Sequence, residues 1–214
     1  MKLYTFFRSS TSFRLRIALN WKKLAYEPAF TSLPGMKHKD PAFLQINPQG
    51  LVPALVSDAG KVYTQSMAMI EWLDERHPEP PLMPKDADEK WYVRAVSQII
   101  GCEIHPLNNV RVLKYVKKTY ALDDAAVNGG WYGHWIAEGF AGLEGFLASQ
   151  QRSGSYCLGE RVTMADVCLV PQVFNAQRFN CDLKAFPLST AIFERCMKLP
   201  AFAEAHPAKQ GDAS

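Results

Sequence analysis

Arg8-Ser9-Ser10-Thr11-Ser12-Phe13-Arg14-Leu15-Arg16 is the stretch whose reading decides the fold. It follows a short apolar strand pattern, Leu3-Tyr4-Thr5-Phe6-Phe7, and opens into a helical run, Ile17-Ala18-Leu19-Asn20-Trp21. The consecutive hydroxyl residues Ser9 to Ser12 would disturb regular structure by competing for backbone hydrogen bonds. At a helix start the same oxygens satisfy N–H groups that have no intrahelical partner. The exposed N–H groups and the helix dipole also make such a junction a natural place to hold an anion, a thiolate included. On its own the stretch supports two readings: a well-capped helix with surface arginines, or an anion-binding helix start.

Working outward, the pattern predicts a strand over about Lys2–Phe6 and a helix over about Ser10–Lys23. The apolar residues of that helix lie on two faces (Phe13, Ile17, Trp21 and Leu15, Leu19), so it is expected to be covered on more than one side. Tyr26 to Phe30 reads as a second strand, followed by a loop with Pro34-Gly35 and the basic group Lys37-His38-Lys39. Asp40-Pro41 starts a short helix that Asn47-Pro48-Gln49-Gly50 stops. Leu51 to Val56 reads as a strand with Pro53 at its entrance, where a proline suits an edge, a bulge or a cis turn. Ser57-Asp58-Ala59-Gly60 is a hairpin turn into Lys61–Thr64, and Ser66 is the expected N-cap of a helix over about Met67–His77. The order β-α-β-α-β-β-α predicts a small α/β domain over residues 1–79.

Pro78-Glu79-Pro80-Pro81-Leu82-Met83-Pro84 forbids helix and central strand and reads as a stiff linker. Beyond it strand signals nearly vanish, which predicts an all-helical domain over residues 86–214. Its first helical pattern, Asp86 to about Lys118, is interrupted near Pro106. The second, Ala125–Leu147, offers Trp131, Trp135, Phe140, Leu143, Phe146 and Leu147 as core residues. Gly133, Gly139, Gly142 and Gly145 in the same run are expected to allow close helix contact. Thr163-Met164-Ala165-Asp166 is a capping box that opens the apolar run Val167–Phe174, which gives Asp166 a folding role rather than a catalytic one. Shorter helices are expected over Pro187–Met197 and Pro200–His206, and a mobile Gly/Asp/Ala/Ser tail after them.

Composition excludes several classes. A net charge of +3 over 214 residues is too small to argue for nucleic acid or a membrane surface. No apolar run approaches the ~20 residues of a membrane span, and no signal-peptide cleavage region follows Met1-Lys2. The cysteines, Cys102, Cys157, Cys168, Cys181 and Cys196, include no Cys-x-x-Cys pair. They read as reduced core thiols of a cytoplasmic protein with no metal site.

Several of these features coincide with one family. The hydroxyl-rich helix start, Val52-Pro53 before a strand, Gln65-Ser66 at a helix start and Thr163-x-x-Asp166 resemble the glutathione transferases. Ser9-Ser10-Thr11-Ser12-x-Arg14-x-Arg16-Ile17-Ala18-Leu19 is similar to the zeta class, which includes maleylacetoacetate and maleylpyruvate isomerases. His105-Pro106-Leu107-Asn108-Asn109 and Asn175-Ala176-Gln177-Arg178-Phe179-x-x-Asp182 resemble that class too, so the likeness spans roughly Lys2 to Phe202. It implies a thioredoxin-like N-terminal domain, an all-helical C-terminal domain, a homodimer, and glutathione as a coenzyme. The chain departs from the class at Thr11, where the usual motif has a cysteine.

The resemblance also implies a site. Ser9 is the first choice for contact with the glutathione sulfur, with Ser10 and Thr11 as helpers. Gln65 and Ser66 would take the γ-glutamyl carboxylate at a helix N-terminus. Val52, turned outward by a cis Pro53, would offer its backbone N–H and C=O to the cysteinyl part like an added strand. His38, Lys39 and Gln49 lie on loops expected near the glycine end, although an exposed basic loop is as often merely solvated. His105 is read either as a contact to a neighbouring subunit's glutathione or as a structural histidine.

The implied substrate is a small cis-dienoate keto acid with two anionic ends. Arg8, Arg178 and Arg111 are candidate carboxylate clamps, and Asn108 a hydrogen-bonding helper. Arg111 is read equally as a surface ion pair, and Arg14 and Arg16 as structural or interfacial. The leading function is glutathione-dependent cis–trans isomerisation of maleylacetoacetate or maleylpyruvate. A general transferase or dehalogenase acting on small electrophiles, and a non-catalytic thioredoxin-like binding protein, are the alternatives.

Overall fold

The computed structural model describes residues 1–213, which fall into two compact units. The first comprises Met1–Leu82 together with the segment from Met197 onward, and the second Met83–Cys196. The expected boundary therefore needs correction at the C-terminus, because the last helix belongs with the first unit and not with the helical one. Its anchors are polar, one buried and one half-buried. Arg16 Nε donates to the carbonyl of Ala205 at 3.0 Å, and Asn20 Nδ2 donates to that of Ala201 at 3.2 Å.

In the first unit the strands are β1 (Lys2–Thr5), β2 (Glu27–Phe30), β3 (Ala54–Val56) and β4 (Val62–Thr64), ordered β2-β1-β3-β4. β1 runs parallel to β2 and antiparallel to β3, with Leu3 opposite both Pro28 and Leu55. The parallel pair requires a crossover, which α1 (Ser10–Trp21) supplies. Phe13, Leu15, Ile17, Ala18 and Leu19 of α1 are all buried, as two apolar faces require. That helix packs against α3 (Ser66–Arg76) and, on its other side, the C-terminal helix α9 (Pro200–Ala205). Between β2 and β3 lies the short α2 (Pro41–Ile46). The arrangement is thioredoxin-like.

The second unit is helical. α4 (Ala87–Gln98) passes into a π-helical stretch, Ile99–Ile104, and then a single turn at Pro106–Asn108, the interruption expected at Pro106. α5 (Val110–Thr119) follows, then a second π-helical stretch, Ala126–Tyr132, leading into α6 (Gly133–Gln150). α7 (Met164–Arg178) is buried along most of its length and packs against α4 and α8 (Pro187–Cys196). Along the second π-helical stretch and α6, Phe140, Leu143 and Leu147 are core residues as expected, but Trp131, Trp135 and Phe146 are only half-buried. Tyr132 and Ile136 take the interior positions instead. Of the cysteines, Cys157, Cys168 and Cys196 are buried, whereas Cys102 is exposed and Cys181 half-buried, so the expectation of core thiols fails for the last two.

The glycines of α6 do not share one role. A Cβ on Gly139 would lie 2.5 Å from Cγ1 of Ile104, a branched and buried side chain, whereas Gly142 and Gly145 have nothing within 4 Å. Close contact holds at Gly139 alone of these three. Gly139→Ala is accordingly expected to destabilise the protein by about 1–3 kcal/mol through overpacking. Gly142→Ala and Gly145→Ala are expected to stabilise it by about 0.5–1 kcal/mol through lower unfolded-state entropy and better helix propensity. Urea denaturation of the three variants checks the sign, and a Gly139→Ala protein as stable as the parent would exclude the packing account.

Candidate active site

The hydroxyl stretch folds as a helix N-terminus because Ser9, in an extended conformation, caps it. Its Oγ accepts from the Ser12 N–H at 3.2 Å, and its carbonyl takes the first helical bond from Phe13 N at 2.8 Å. Ser9 Oγ also lies 2.9 Å from Thr11 Oγ1, and Thr11 Oγ1 donates to the carbonyl of Val52, also at 2.9 Å. Thr11 has a single hydroxyl proton and gives it to Val52, so Ser9 is the donor in the Ser9–Thr11 pair. The residue that departs from the family pattern thus couples the helix start to the Val52–Pro53 loop, where the peptide bond is cis. Ser10 is buried.

A second group converges from three loops. Gln65 Nε2 donates to Gln49 Oε1 at 2.8 Å, and Lys39 Nζ to the Gln49 carbonyl at 3.4 Å. Asn47 holds the intervening turn, donating from Nδ2 to the Leu51 carbonyl at 2.7 Å and accepting from Gln49 N at 3.2 Å. Gly50, at φ +60°, lets Lys39 Nζ come within 2.7 Å of where a Cβ would stand. Lys39, Gln49 and Gln65 are thereby brought together, and His38 precedes Lys39 on a 3-10 turn.

Ser66 is not the N-cap expected from sequence. It is the first helical residue of α3, and Gln65 precedes it at φ 67°, ψ 100° with no side-chain cap. Positive φ at a non-glycine residue is a strained conformation of the kind that gathers at functional sites. It leaves the first N–H groups of α3 without the side-chain oxygen that sequence had promised them, and aimed at whatever lies beyond the helix end.

Arg8 is exposed, its guanidinium 4.8 Å from the Phe7 ring centroid. Arg16 is wholly buried: Nη1 donates to Thr5 Oγ1 and the Phe6 carbonyl, Nη2 to the Phe7 carbonyl, and Nε to Ala205. Burial lowers its pKa to about 10, with Tyr26 and Asp212 pulling the other way. Its role is structural. Arg14 is buried as well, and its Nε and Nη2 make no hydrogen bond among the described residues.

In the second unit, Arg178 ends α7 with its guanidinium 4.3 Å from the Phe179 ring centroid. Phe179 stacks on Tyr132 at 3.9 Å. Burial pushes the Tyr132 hydroxyl well above its usual pKa, and Arg178 opposes that shift. Sequence reading had passed over Tyr132, which nothing but the helical spacing of its neighbours marks. Asn108 sits on the turn after the π-helical stretch, and both polar atoms of its amide are buried with no partner among the described residues. His105 precedes that turn and is half-buried. Arg111 is exposed on α5 and forms no ion pair among the described residues, so the surface-pair alternative is not what the structure shows.

Comparison with known proteins bears directly on this arrangement. A family model described as the glutathione S-transferase N-terminal domain matches residues 3–81. The chain is 49% identical over 214 residues to a maleylpyruvate isomerase from Ralstonia sp., covering all of both chains. The chain belongs to the zeta class of the glutathione S-transferase family. Among solved structures, a holo maleyl pyruvate isomerase, described as a bacterial glutathione S-transferase in the zeta class, superposes with a TM-score of 0.96 at 48% identity, each chain fully covered. A maleylacetoacetate isomerase from Methylobacterium extorquens, with bound malonate and glutathione, gives a TM-score of 0.96 at 35% identity, again with both chains fully covered. Among the described residues of this zeta-class chain, no cluster of His, Cys, Asp and Glu is disposed to hold a metal ion, and no helix is long and apolar enough to cross a membrane.

Proposed function

We propose that this chain is a glutathione-dependent cis–trans isomerase acting on maleylacetoacetate or maleylpyruvate. The observation that carries the reading is the Ser9–Thr11–Val52 hydroxyl chain at the α1 N-terminus, in a protein alike over its whole length to maleylpyruvate isomerase. The residues present fit glutathione. The α3 start, with strained Gln65 and no side-chain cap, suits the γ-glutamyl carboxylate, assisted by Ser66. Val52, followed by cis Pro53, suits the cysteinyl part, and Lys39, Gln49 and His38 the glycine carboxylate. Bound glutathione supplies the thiol whose reversible addition to the double bond permits rotation.

The protein's share is electrostatic. A thiol of pKa about 8.5 must be lowered by about two units to be mostly ionised at neutral pH, which needs about 2.7 kcal/mol. Turning the Ser9 O–H from Thr11 toward a thiolate exchanges a neutral hydrogen bond of about 0.5–1.5 kcal/mol for a charge-assisted one of about 1.5–3 kcal/mol. The α1 dipole adds about 0.3–1 kcal/mol, and the sum at its upper end reaches the required scale. Arg8 and Arg178 serve as carboxylate ligands and stabilise the enolate charge that develops on the conjugated carbonyl, with Arg111 as a further clamp. The Asn108 amide, buried without a partner, gains its hydrogen bonds from substrate. The working form is a cytoplasmic homodimer, in which His105 reaches the neighbouring subunit's glutathione.

Isomerase assays on each keto acid, with and without glutathione, test the reading. Turnover should require glutathione, and Arg178→Ala should raise the substrate KM at least tenfold while leaving glutathione affinity unchanged. Conjugation of chlorodinitrobenzene without isomerisation of either acid would move the protein to the general transferases. Failure to bind glutathione would make it a non-catalytic binding protein.

A further inference from the structure

The loop that carries Arg8 and Ser9 is held from the far end of the chain. Between β1 and α1, the Phe7 N–H donates to Asp212 Oδ2 at 3.1 Å, across 205 residues of sequence. The carbonyls of Phe6 and Phe7 accept from Arg16, which also grips the Ala205 carbonyl, and Phe6 O receives the Ser9 N–H at 3.0 Å. The segment that brings Asp212 there is built rather than trailing as far as Ala213, contrary to the expectation of a mobile tail, of which Ser214 lies outside the described residues. Gln210 Nε2 donates to the carbonyls of Glu204 and His206, both at 3.0 Å, and Ala213 N to Gln210 O, also at 3.0 Å. Gly211 crosses so close to β2 that a Cβ there would lie 3.0 Å from Cζ of Phe30. Asp212 Oδ1 is buried and accepts no hydrogen bond among the described residues, where the carboxylate is oriented by the Phe7 amide and the field of Arg16.

We propose that the C-terminal segment is a working part of the active-site loop, with Asp212 as a positioning residue that fixes the Phe7 peptide and so aims Arg8 and Ser9. The geometry supplies the reason. Phe7 is the residue before Arg8, and its peptide lies in the turn closed by Ser9 N and Phe6 O. Without Asp212 that peptide is held through the Phe6 carbonyl alone, and the tilt this allows would redirect the Arg8 side chain and shift the Ser9 hydroxyl by up to about an ångström. A misplacement of about 1 Å at a reacting centre can lower a rate by up to about two orders of magnitude. The inference rests on assigning Arg8 and Ser9 to the site.

The test compares Asp212→Ala, Asp212→Asn, which keeps an acceptor oxygen, and Gly211→Val, which pushes the segment off Phe30. Amide hydrogen exchange over residues 6–12 is measured in the glutathione-free protein, beside kcat, KM and the glutathione dissociation constant. Asp212→Ala and Gly211→Val should speed exchange at Phe7 and lower kcat/KM for the keto acid about tenfold, with glutathione affinity within twofold. Asp212→Asn should restore both readouts to near the parent values. Unchanged exchange and kcat/KM in Asp212→Ala would overturn the proposal, as would an Asp212→Asn protein as impaired as the alanine variant. Arg8→Ala and Ser9→Ala keep the two assignments separable. If they leave catalysis intact the site assignment fails, whereas the exchange readout still judges the Asp212 anchor.

Discussion

Replacing Asp166 with alanine is expected to remove about 3–5 kcal/mol of stability, a large part of the 5–15 kcal/mol that holds a typical domain folded. Asp166 is fully buried at the start of α7. Its Oδ1 accepts from the Cys157 N–H at 2.7 Å, and its Oδ2 from the Thr163 N–H at 2.8 Å and the Thr163 hydroxyl at 3.0 Å. Burial pushes the carboxyl above its usual pKa range, and those hydrogen bonds from Cys157 and Thr163 pull it back. Alanine strands two buried N–H groups at about 1–3 kcal/mol each and breaks the capping box of a helix that already carries Pro171. Asparagine keeps one acceptor but turns an NH₂ toward a donor, so Asp166→Asn should fall between. Guanidinium denaturation measures all three proteins, and a loss below about 1 kcal/mol for alanine would refute the buried-network account.

Asp74→Ala should cost a similar amount, about 3–5 kcal/mol, for a different reason. The Lys22 side chain is entirely buried, and its ammonium is met by Asp74 Oδ1 at 2.5 Å, the Pro80 carbonyl at 2.6 Å and the His77 carbonyl at 2.7 Å. Asp74 Oδ1 also accepts from the Leu82 N–H at 2.6 Å. Two carbonyls hydrate the lysine in effect, but among the described residues Asp74 alone neutralises it. Removing Asp74 therefore leaves a buried, uncompensated cation and frees the entry to the proline-rich linker. Lys22→Met should be milder, because Asp74 keeps the Leu82 hydrogen bond and is 12% exposed. The double variant Lys22→Met/Asp74→Ala should recover much of the loss, since a buried pair replaced by apolar groups is often neutral. Strict additivity of the single effects in that variant would show that the pair is not coupled.

The two variants separate what was legible in the sequence from what was not. The capping box of Asp166 could be read directly, because its partners lie within four residues and capping chemistry is local. Only its bond to Cys157, nine residues away, needed the fold. The Lys22–Asp74 pair, 52 residues apart, left no such trace, since nothing distinguishes a lysine that will be buried from one that will be solvated.

The same division runs through the candidate site. Residues 8–16 determined by themselves a capped helix start and a hydroxyl cluster at its tip, because i to i+3 hydrogen bonds fix that geometry wherever the chain goes. The order of elements and the proline linker were likewise set by periodicity and by backbone that cannot donate. Tertiary structure decided the rest. It alone gave Thr11 the Val52 carbonyl across 41 residues, moved the α3 cap from Ser66 to a strained Gln65, and brought Asp212 back to Phe7. Those choices depend on which surfaces pack together. A hydrogen bond between groups far apart in sequence forms only once that packing has already placed both ends.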